Sequence, residues 1–212
     1  MRRGTTTEWM AGSLAVGLAI VWVTRFLGYP LNDGLRATAR WSFALFWLAS
    51  CGGALATLFG LRFQALAQRG RDFGLSFASA HLAHLGLVAW VLLTAPPLSR
   101  NLLIFLYGGV FWTYLLAILS VKSVAAKLET RTLRIIRAVG VEYISLVFLF
   151  DFTRTRYKGG LADVLEYAPF LLLTIAGPLL RVAAMLKRLN QARALAATAR
   201  VTGSWGNSPT IR

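Results

Sequence analysis

The sequence predicts an all-α membrane protein, built as a polytopic bundle of about six transmembrane helices. Hydrophobic residues make up 57% of the 212 residues and charged residues only 15%, and the mean hydropathy is +0.60. This chain is therefore far more apolar than an ordinary soluble domain. The apolar residues also form runs of roughly 20, the length that an α-helix needs to cross the hydrocarbon layer.

The six predicted spans follow one another with short connections. A turn with Pro30 and Gly34 follows the first span, and Pro96 and Pro97 follow the third. The spans are residues 9–29, 41–63, 73–93, 101–121, 133–152 and 161–186. Residues 1–186 are thus expected to form a six-helix transmembrane domain. Residues 187–212 are expected to form a basic cytoplasmic C-terminal tail that begins as a surface helix.

Lys and Arg are distributed unevenly between the two sides of the predicted bundle. An even number of spans puts both termini on one side, and that side holds about two thirds of the 23 Lys and Arg residues. Because basic loops stay in the cytoplasm, we expect both termini to be cytoplasmic. Arg2 and Arg3 precede the first run as in a signal peptide, but no convincing cleavage site follows, so we expect a retained helix.

The charge and the cysteine count limit the classes of function. The net charge of +15 is not gathered on one stripe, so we expect no nucleic-acid partner. Basic residues at a membrane surface attract anionic lipids, which we expect as partners instead. The single cysteine, Cys51, excludes an intramolecular disulfide and a multi-cysteine cluster. The sequence contains no nucleotide-binding motif or hydrolase triad, so we expect no self-contained enzyme.

Histidines occur only in the third predicted span. His81 and His84 are three residues apart and therefore lie on one helix face. At about 1.5 Å per residue, His84 lies about 18 Å from Asp72, close to the middle of the bilayer. An imidazole at this depth either binds a metal or a tetrapyrrole, or it forms an interhelical hydrogen bond. The residues alone leave both roles open.

The fifth predicted span contains Glu142 next to Tyr143. Glu142 lies about 13 Å into the bilayer, at a depth similar to that of His81, so a pair between them is feasible. Such a pair would satisfy two costly polar groups without a cofactor. Alternatively, Glu142 is neutral and forms a local hydrogen bond.

Several short motifs resemble those of one membrane family. Residues 37–45 are similar to the start of an early helix of that family, and residues 69–75 are similar to its basic pair and Gly-Leu motif. His84 follows Gly74 by ten residues, as the family's haem-ligating histidine does, and residues 120–137 resemble its basic loop. On these motifs the chain resembles the ferric-reductase-like transmembrane family, in particular the haem-binding membrane subunits of bacterial methionine sulfoxide reductase systems.

The resemblance covers residues 36–152 and implies a six-helix bundle in the bacterial inner membrane, with a b-type haem between histidines of different helices. The family's two later histidines correspond to positions near Ile136 and Leu149, and neither side chain binds iron. His81 cannot replace them, because two residues on one helix face cannot bind both sides of a macrocycle. The expected cofactor is therefore none, or a single tetrapyrrole of the haem b or chlorophyll type with His84 as the metal ligand.

Three functions remain open. We expect an accessory or scaffold subunit of a redox or energy-transducing membrane complex, with other integral membrane proteins as partners. Gly52 and Gly53 would allow close helix contact for such partners. The second function is an electron-transfer subunit whose b-type haem uses His84, with Tyr143, Met185 or water as sixth ligand. The third is a pigment-binding subunit with His84 as the single axial ligand.

Overall fold

The computed structural model of the protein describes residues 5–94, 99–156 and 160–204, and every element in this part is helical. The elements are α1 (Thr6–Phe26), α2 (Leu31–Phe59), a 3-10 turn (Gly60–Phe63), α3 (Gln64–Gln68), α4 (Gly70–Thr94), α5 (Arg100–Ile118), α6 (Lys122–Ala125), α7 (Thr130–Arg156) and α8 (Gly160–Ser204). The predicted all-α bundle is confirmed. Arg2, Arg3, the turn at Pro96 and Pro97, and residues 205–212 lie outside the described residues.

Within the described residues, five helical segments are long and apolar enough to cross a membrane, as in a multi-pass membrane protein. They are Thr6–Phe26, Leu31–Gln68, Gly70–Thr94, Arg100–Ile118 and Leu165–Ala196. The fifth predicted span, residues 133–152, lies in α7. This helix is not among the five because Arg137, Glu142 and Asp151 interrupt its apolar sequence. It nevertheless packs along α5 and α8 as a member of the bundle.

α2 begins at Leu31, whereas the apolar run predicted a start at residue 41. Gly28 has a left-handed backbone, with φ 71°, just after the end of α1, and Pro30 stands at the start of α2. The first turns of α2 are polar in sequence, yet Thr38 and Ala39 are buried. These polar residues therefore belong to a helix that lies inside the bundle rather than to a loop.

Successive long helices run in alternating directions. Thr6 Oγ1 donates to Asp72 Oδ1 at 2.8 Å, which places the starts of α1 and α4 at one end, here called the amino end. The starts of α2 and α5 and the end of α4 lie at the opposite end, here called the far end. α1 and α4 are in close contact, since a Cβ on Gly17 would lie 2.9 Å from the Cβ of Ala83.

A cluster of aromatic side chains forms the core. Phe43 of α2 is 1% exposed, and its ring lies 5.1 Å from those of Phe148 and Phe152 of α7, in edge-to-face geometry. Phe77 extends the cluster to α4. Because Phe77 also lies 5.5 Å from the ring of His81, the core fixes the face of α4 that carries the histidines.

The two glycines that were expected to allow close helix contact have different surroundings. A Cβ on Gly52 would lie 3.1 Å from Leu66 of α3, so this glycine permits a contact within the chain. A Cβ on Gly53 would meet open space. Of these two glycines, Gly52 is therefore the one that permits close packing inside the bundle.

α8 continues without a break across the predicted boundary at residue 186 and ends at Ser204. Lys187 Nζ donates to the carbonyl oxygens of Thr57 at 2.8 Å and Leu58 at 3.2 Å, and Arg188 Nη2 donates to Thr57 Oγ1 at 2.6 Å. Cations are favourable near the C-terminal end of a helix, where carbonyl groups lack helical partners. The beginning of the basic tail thus binds the end of α2 in the same chain.

Candidate functional site

A cavity of about 480 Å³ lies between α2, α4, α5 and α7, toward the far end of the bundle. His81 and His84 line it from α4, and Arg36 of α2 and Asp151 of α7 line it near the far end. Pockets that bind cofactors and small molecules measure roughly 300–1,000 Å³, so its size is suitable for a ligand. We call it the histidine cavity.

Thr38 holds the ring of His84 in one orientation. Thr38 Oγ1 donates to the carbonyl oxygen of Gly34 at 2.8 Å and lies 3.0 Å from His84 Nδ1. The one hydroxyl hydrogen can point to a carbonyl oxygen, that of Gly34 or Leu35, or to Nδ1; where it points to a carbonyl, Nδ1–H of His84 donates to Thr38. The lone pair of His84 is then on Nε2. Metal-ligating histidines have this arrangement, with one ring nitrogen hydrogen-bonded and the other left for the metal.

His81 lies beside His84 without a hydrogen bond. The two rings are stacked, with centroids 5.4 Å apart and an interplanar angle of 27°. His81 Nδ1 is buried and has no hydrogen-bond partner among the described residues. An unpaired buried polar atom costs about 1–3 kcal/mol. Nδ1 itself has almost no accessible surface, so it does not open to the cavity and gives no evidence of a ligand there.

The α7 wall of the histidine cavity supplies no histidine. It consists of Ile144, Val147, Phe148, Asp151 and Phe152, and its carboxylate lies at the far end. Two stacked imidazoles on one face of α4 cannot bind the two sides of a planar ring. A haem with two histidine ligands therefore does not fit the described residues, which offer one axial histidine at most.

Tyr143 and Met185, two of the predicted alternatives for a sixth ligand, lie elsewhere. The Tyr143 hydroxyl donates to the carbonyl oxygen of Phe105 at 3.1 Å, between α5 and α7. Met185 is 55% exposed on α8. Neither side chain lines the histidine cavity. Of the three predicted sixth ligands, only water is compatible with this geometry.

Glu142 pairs with an arginine rather than with a histidine. Arg181 of α8 donates from Nε and Nη2 to the two carboxylate oxygens at 2.9 and 2.8 Å, and Nη2 also donates to Ser145 Oγ at 3.1 Å. The predicted pair of Glu142 with His81 is therefore wrong, and Glu142 belongs to a bidentate ion pair. The sequence contained a signal for this pair, because Arg181 is the only Lys or Arg within the sixth predicted span and needs a partner at its depth.

Charged side chains border the far end of the histidine cavity. Arg40 Nη1 donates to Glu166 Oε1 at 2.6 Å, and the guanidinium carbon lies 4.6 Å from the centre of the Tyr167 ring. The guanidinium carbon of Arg36 lies 5.8 Å from the same ring. The predicted second span starts at residue 41 and therefore leaves out these arginines and Thr38.

A second cavity, of about 390 Å³, lies between the same four helices toward the amino end. Arg71 of α4 and Arg137 of α7 line it, and we call it the arginine cavity. Phe77, Thr113 and Ile144 line both cavities and so separate them. The two cavities thus follow one another along the bundle axis, the arginine cavity toward the amino end and the histidine cavity toward the far end.

In the part of the chain that the structure describes, no group of three or more His, Cys, Asp or Glu side chains is arranged to hold a metal ion. No known protein family, curated protein or solved structure matches this chain. The geometry of the two cavities is therefore the basis for the functional interpretation.

Proposed function

We propose that this chain is a membrane subunit that binds one tetrapyrrole in the histidine cavity, with His84 as the axial ligand. The observation that carries the proposal is the 3.0 Å contact between Thr38 Oγ1 and His84 Nδ1, which leaves Nε2 as the basic nitrogen. The ring lines a cavity of about 480 Å³. Imidazoles at this depth in a membrane are costly unless they serve a function.

The residues of the cavity would hold the ligand in three ways. His84 supplies the axial nitrogen, and Thr38 fixes its tautomer and direction. Apolar side chains such as Val110 and Val147 exclude water. Arg36 and Asp151 give the far end of the cavity charged groups for the polar part of a ligand. A haem would bring one-electron chemistry to this site, and a magnesium tetrapyrrole would bring light absorption.

The proposal includes a role as an accessory subunit of a larger redox or energy-transducing complex with other integral membrane proteins. The histidine cavity lies toward one end of the bundle, so a cofactor in it would need a partner to connect it with the other side of the membrane. The excess of basic residues at the amino end favours the bacterial inner membrane with cytoplasmic termini. In that orientation the histidine cavity lies in the periplasmic half.

The pigment content of the purified protein tests this proposal. The full chain is expressed in one host that makes haem and in another that also makes chlorophyll-type pigments, and is then purified in a mild detergent. We expect bound tetrapyrrole in the wild type, retention in His81→Ala and loss in His84→Ala, because only His84 is oriented for ligation. Full retention of pigment in His84→Ala would overturn the proposal, as would a wild type without pigment from both hosts.

A further inference from the structure

The arginine cavity combines an apolar interior with two cations near its end. Its interior is lined by Phe46 of α2, Leu116 of α5 and Val141 of α7. Arg71 comes from the first turn of α4 and Arg137 lies about two turns inside α7. The described residues that line the cavity include no Asp or Glu. An apolar space next to positive charge is complementary to an anionic amphiphile.

Both arginines are held by the C-terminal end of α5. Arg71 Nε donates to the carbonyl oxygen of Ser120 at 2.9 Å, and Arg137 Nη2 donates to that of Leu119 at 3.0 Å. Because the two acceptors belong to successive residues, the two guanidinium groups are held near each other. Each keeps further N–H groups, and neither is in an ion pair with a carboxylate of the described residues. Neighbouring cations repel each other, and an anion between them removes that repulsion.

The hydrogen bonds to the end of α5 explain the position of the two arginines but not the cavity beside them. Carbonyl groups at a helix C-terminus attract cations, which explains the two hydrogen bonds. It does not explain a space of about 390 Å³ that continues from the guanidinium groups into the bundle. Helix interfaces are normally filled by side chains. An occupant with a negative headgroup and an apolar chain accounts for both the cations and the space.

We propose that the arginine cavity binds one anionic phospholipid, with its phosphate at Arg71 and Arg137 and one acyl chain between the helices. Basic pockets between transmembrane helices on the cytoplasmic side bind such headgroups. The amino end is also the end that the distribution of basic residues assigns to the cytoplasm. This site is separated from the histidine cavity by Phe77, Thr113 and Ile144, and it does not depend on a tetrapyrrole.

Native mass spectrometry of the full chain tests the lipid site. The protein is delipidated in a mild detergent and titrated with phosphatidylglycerol or with phosphatidylcholine. We expect one phosphatidylglycerol to bind more tightly than phosphatidylcholine. The Arg71→Gln/Arg137→Gln variant should bind phosphatidylglycerol about 30-fold more weakly, because each basic residue near the membrane surface contributes about fivefold. Equal binding of both lipids to the wild type would overturn the proposal.

The matched control is the Arg131→Gln/Arg134→Gln variant. It removes the same charge from the start of α7; all four arginines are exposed, but Arg131 and Arg134 do not line the cavity. We expect it to change phosphatidylglycerol affinity by less than about threefold, since charges that do not touch the headgroup act on it only through salt solution, which screens them. A loss as large as that of the cavity variant would indicate general attraction to the protein surface and would contradict a built site.

The Ala117→Leu variant probes the apolar part of the site and leaves both arginines in place. Ala117 lines the cavity on α5, and a leucine there would occupy space needed by the acyl chain. We expect phosphatidylglycerol affinity to fall about tenfold. Unchanged lipid affinity in Ala117→Leu would contradict the proposal. Displacement of the lipid by a similar concentration of inorganic phosphate would also do so, because it would show a free-phosphate site.

Discussion

The histidine cavity and the arginine cavity lie between the same four helices, and they differ in the polar groups that line them. His81 and His84 lie far inside α4, whereas Arg71 and Arg137 lie near helix starts, within reach of the membrane surface. A guanidinium always carries charge and is tolerated where it reaches water, but an imidazole can be uncharged in hydrocarbon. The depth of a cavity in the membrane is therefore a better indicator of the chemical class of its ligand than the volume of the cavity.

The ion pair between Glu142 and Arg181 is a third arrangement of polar groups in the bundle, and it differs from those in both cavities. Its two charged groups satisfy each other in bidentate geometry, and neither lines the histidine cavity or the arginine cavity. Polar groups that are already paired with each other indicate a structural role.

The largest expected effect separates the two cavities. His84→Ala should lower tetrapyrrole content by about 100-fold or more, because it removes the one cavity imidazole that is held by a hydrogen bond from a neighbouring helix. Phosphatidylglycerol binding should change by less than about twofold, since the arginine cavity lies toward the other end. Pigment extraction and native mass spectrometry on the same preparations check both values. Loss of both ligands would contradict two independent sites.

The next largest effect concerns the orientation of His84. Thr38→Val removes the hydroxyl that accepts from Nδ1 and should weaken tetrapyrrole affinity about 10- to 100-fold, as is usual for such supporting residues. Titration of the pigment-free protein with haem measures the change. Thr174→Val is the control, because Thr174 is also buried and donates to a carbonyl of its own helix, that of Phe170 at 2.7 Å, but lies outside the cavity. Equal losses in both variants would contradict a specific role for Thr38.

A smaller effect, on stability alone, is expected for the ion pair. Arg181→Leu should lower the free energy of unfolding by about 2 kcal/mol, less than for a fully buried pair because the Glu142 side chain is 53% exposed. Adding Glu142→Leu should restore most of the loss, since no charge is then left without its partner. SDS-induced unfolding in mixed micelles measures the free energy of unfolding of both variants. A change in bound pigment or lipid would contradict the placement of this pair outside the two sites.

The smallest effect is expected at the boundary between the cavities. Thr113 lines both, and its Oγ1 donates to the carbonyl oxygen of Gly109 at 2.8 Å within α5. Thr113→Val removes only this contact inside one helix. We therefore expect the free energy of unfolding to change by less than about 0.5 kcal/mol, and the affinity for either ligand to change by less than about twofold. A simultaneous change in both affinities would show that the two cavities communicate.

The bundle itself was largely predictable from the sequence, because length and hydropathy determine where helices cross a membrane. The shared face of His81 and His84 followed from their spacing, and the rings are stacked. Thr38 was missed because hydropathy treats the polar start of α2 as a loop, although that part of the helix lies inside the bundle. The partner of Glu142 was missed because Arg181 is 39 residues away, and the spacing within one helix does not show which helices are neighbours.

The resemblance to the ferric-reductase-like family remains a prediction, as does the larger complex. Neither Ile136 nor Leu149, the positions that correspond to the family's later histidines, lines the histidine cavity. What a cavity holds depends on the position of side chains from several helices at once. That position was not readable from any single motif in this chain.

The visible spectrum of the haem-loaded protein tests the central claim, that one histidine is the metal ligand. We predict a high-spin spectrum for the wild type, because His84 binds one side and the other helices that line the described cavity supply no second histidine. His84→Gly should lose this spectrum, and added imidazole should restore it. A sharp, stoichiometric low-spin b-type spectrum, typical of two histidine ligands, would contradict the account.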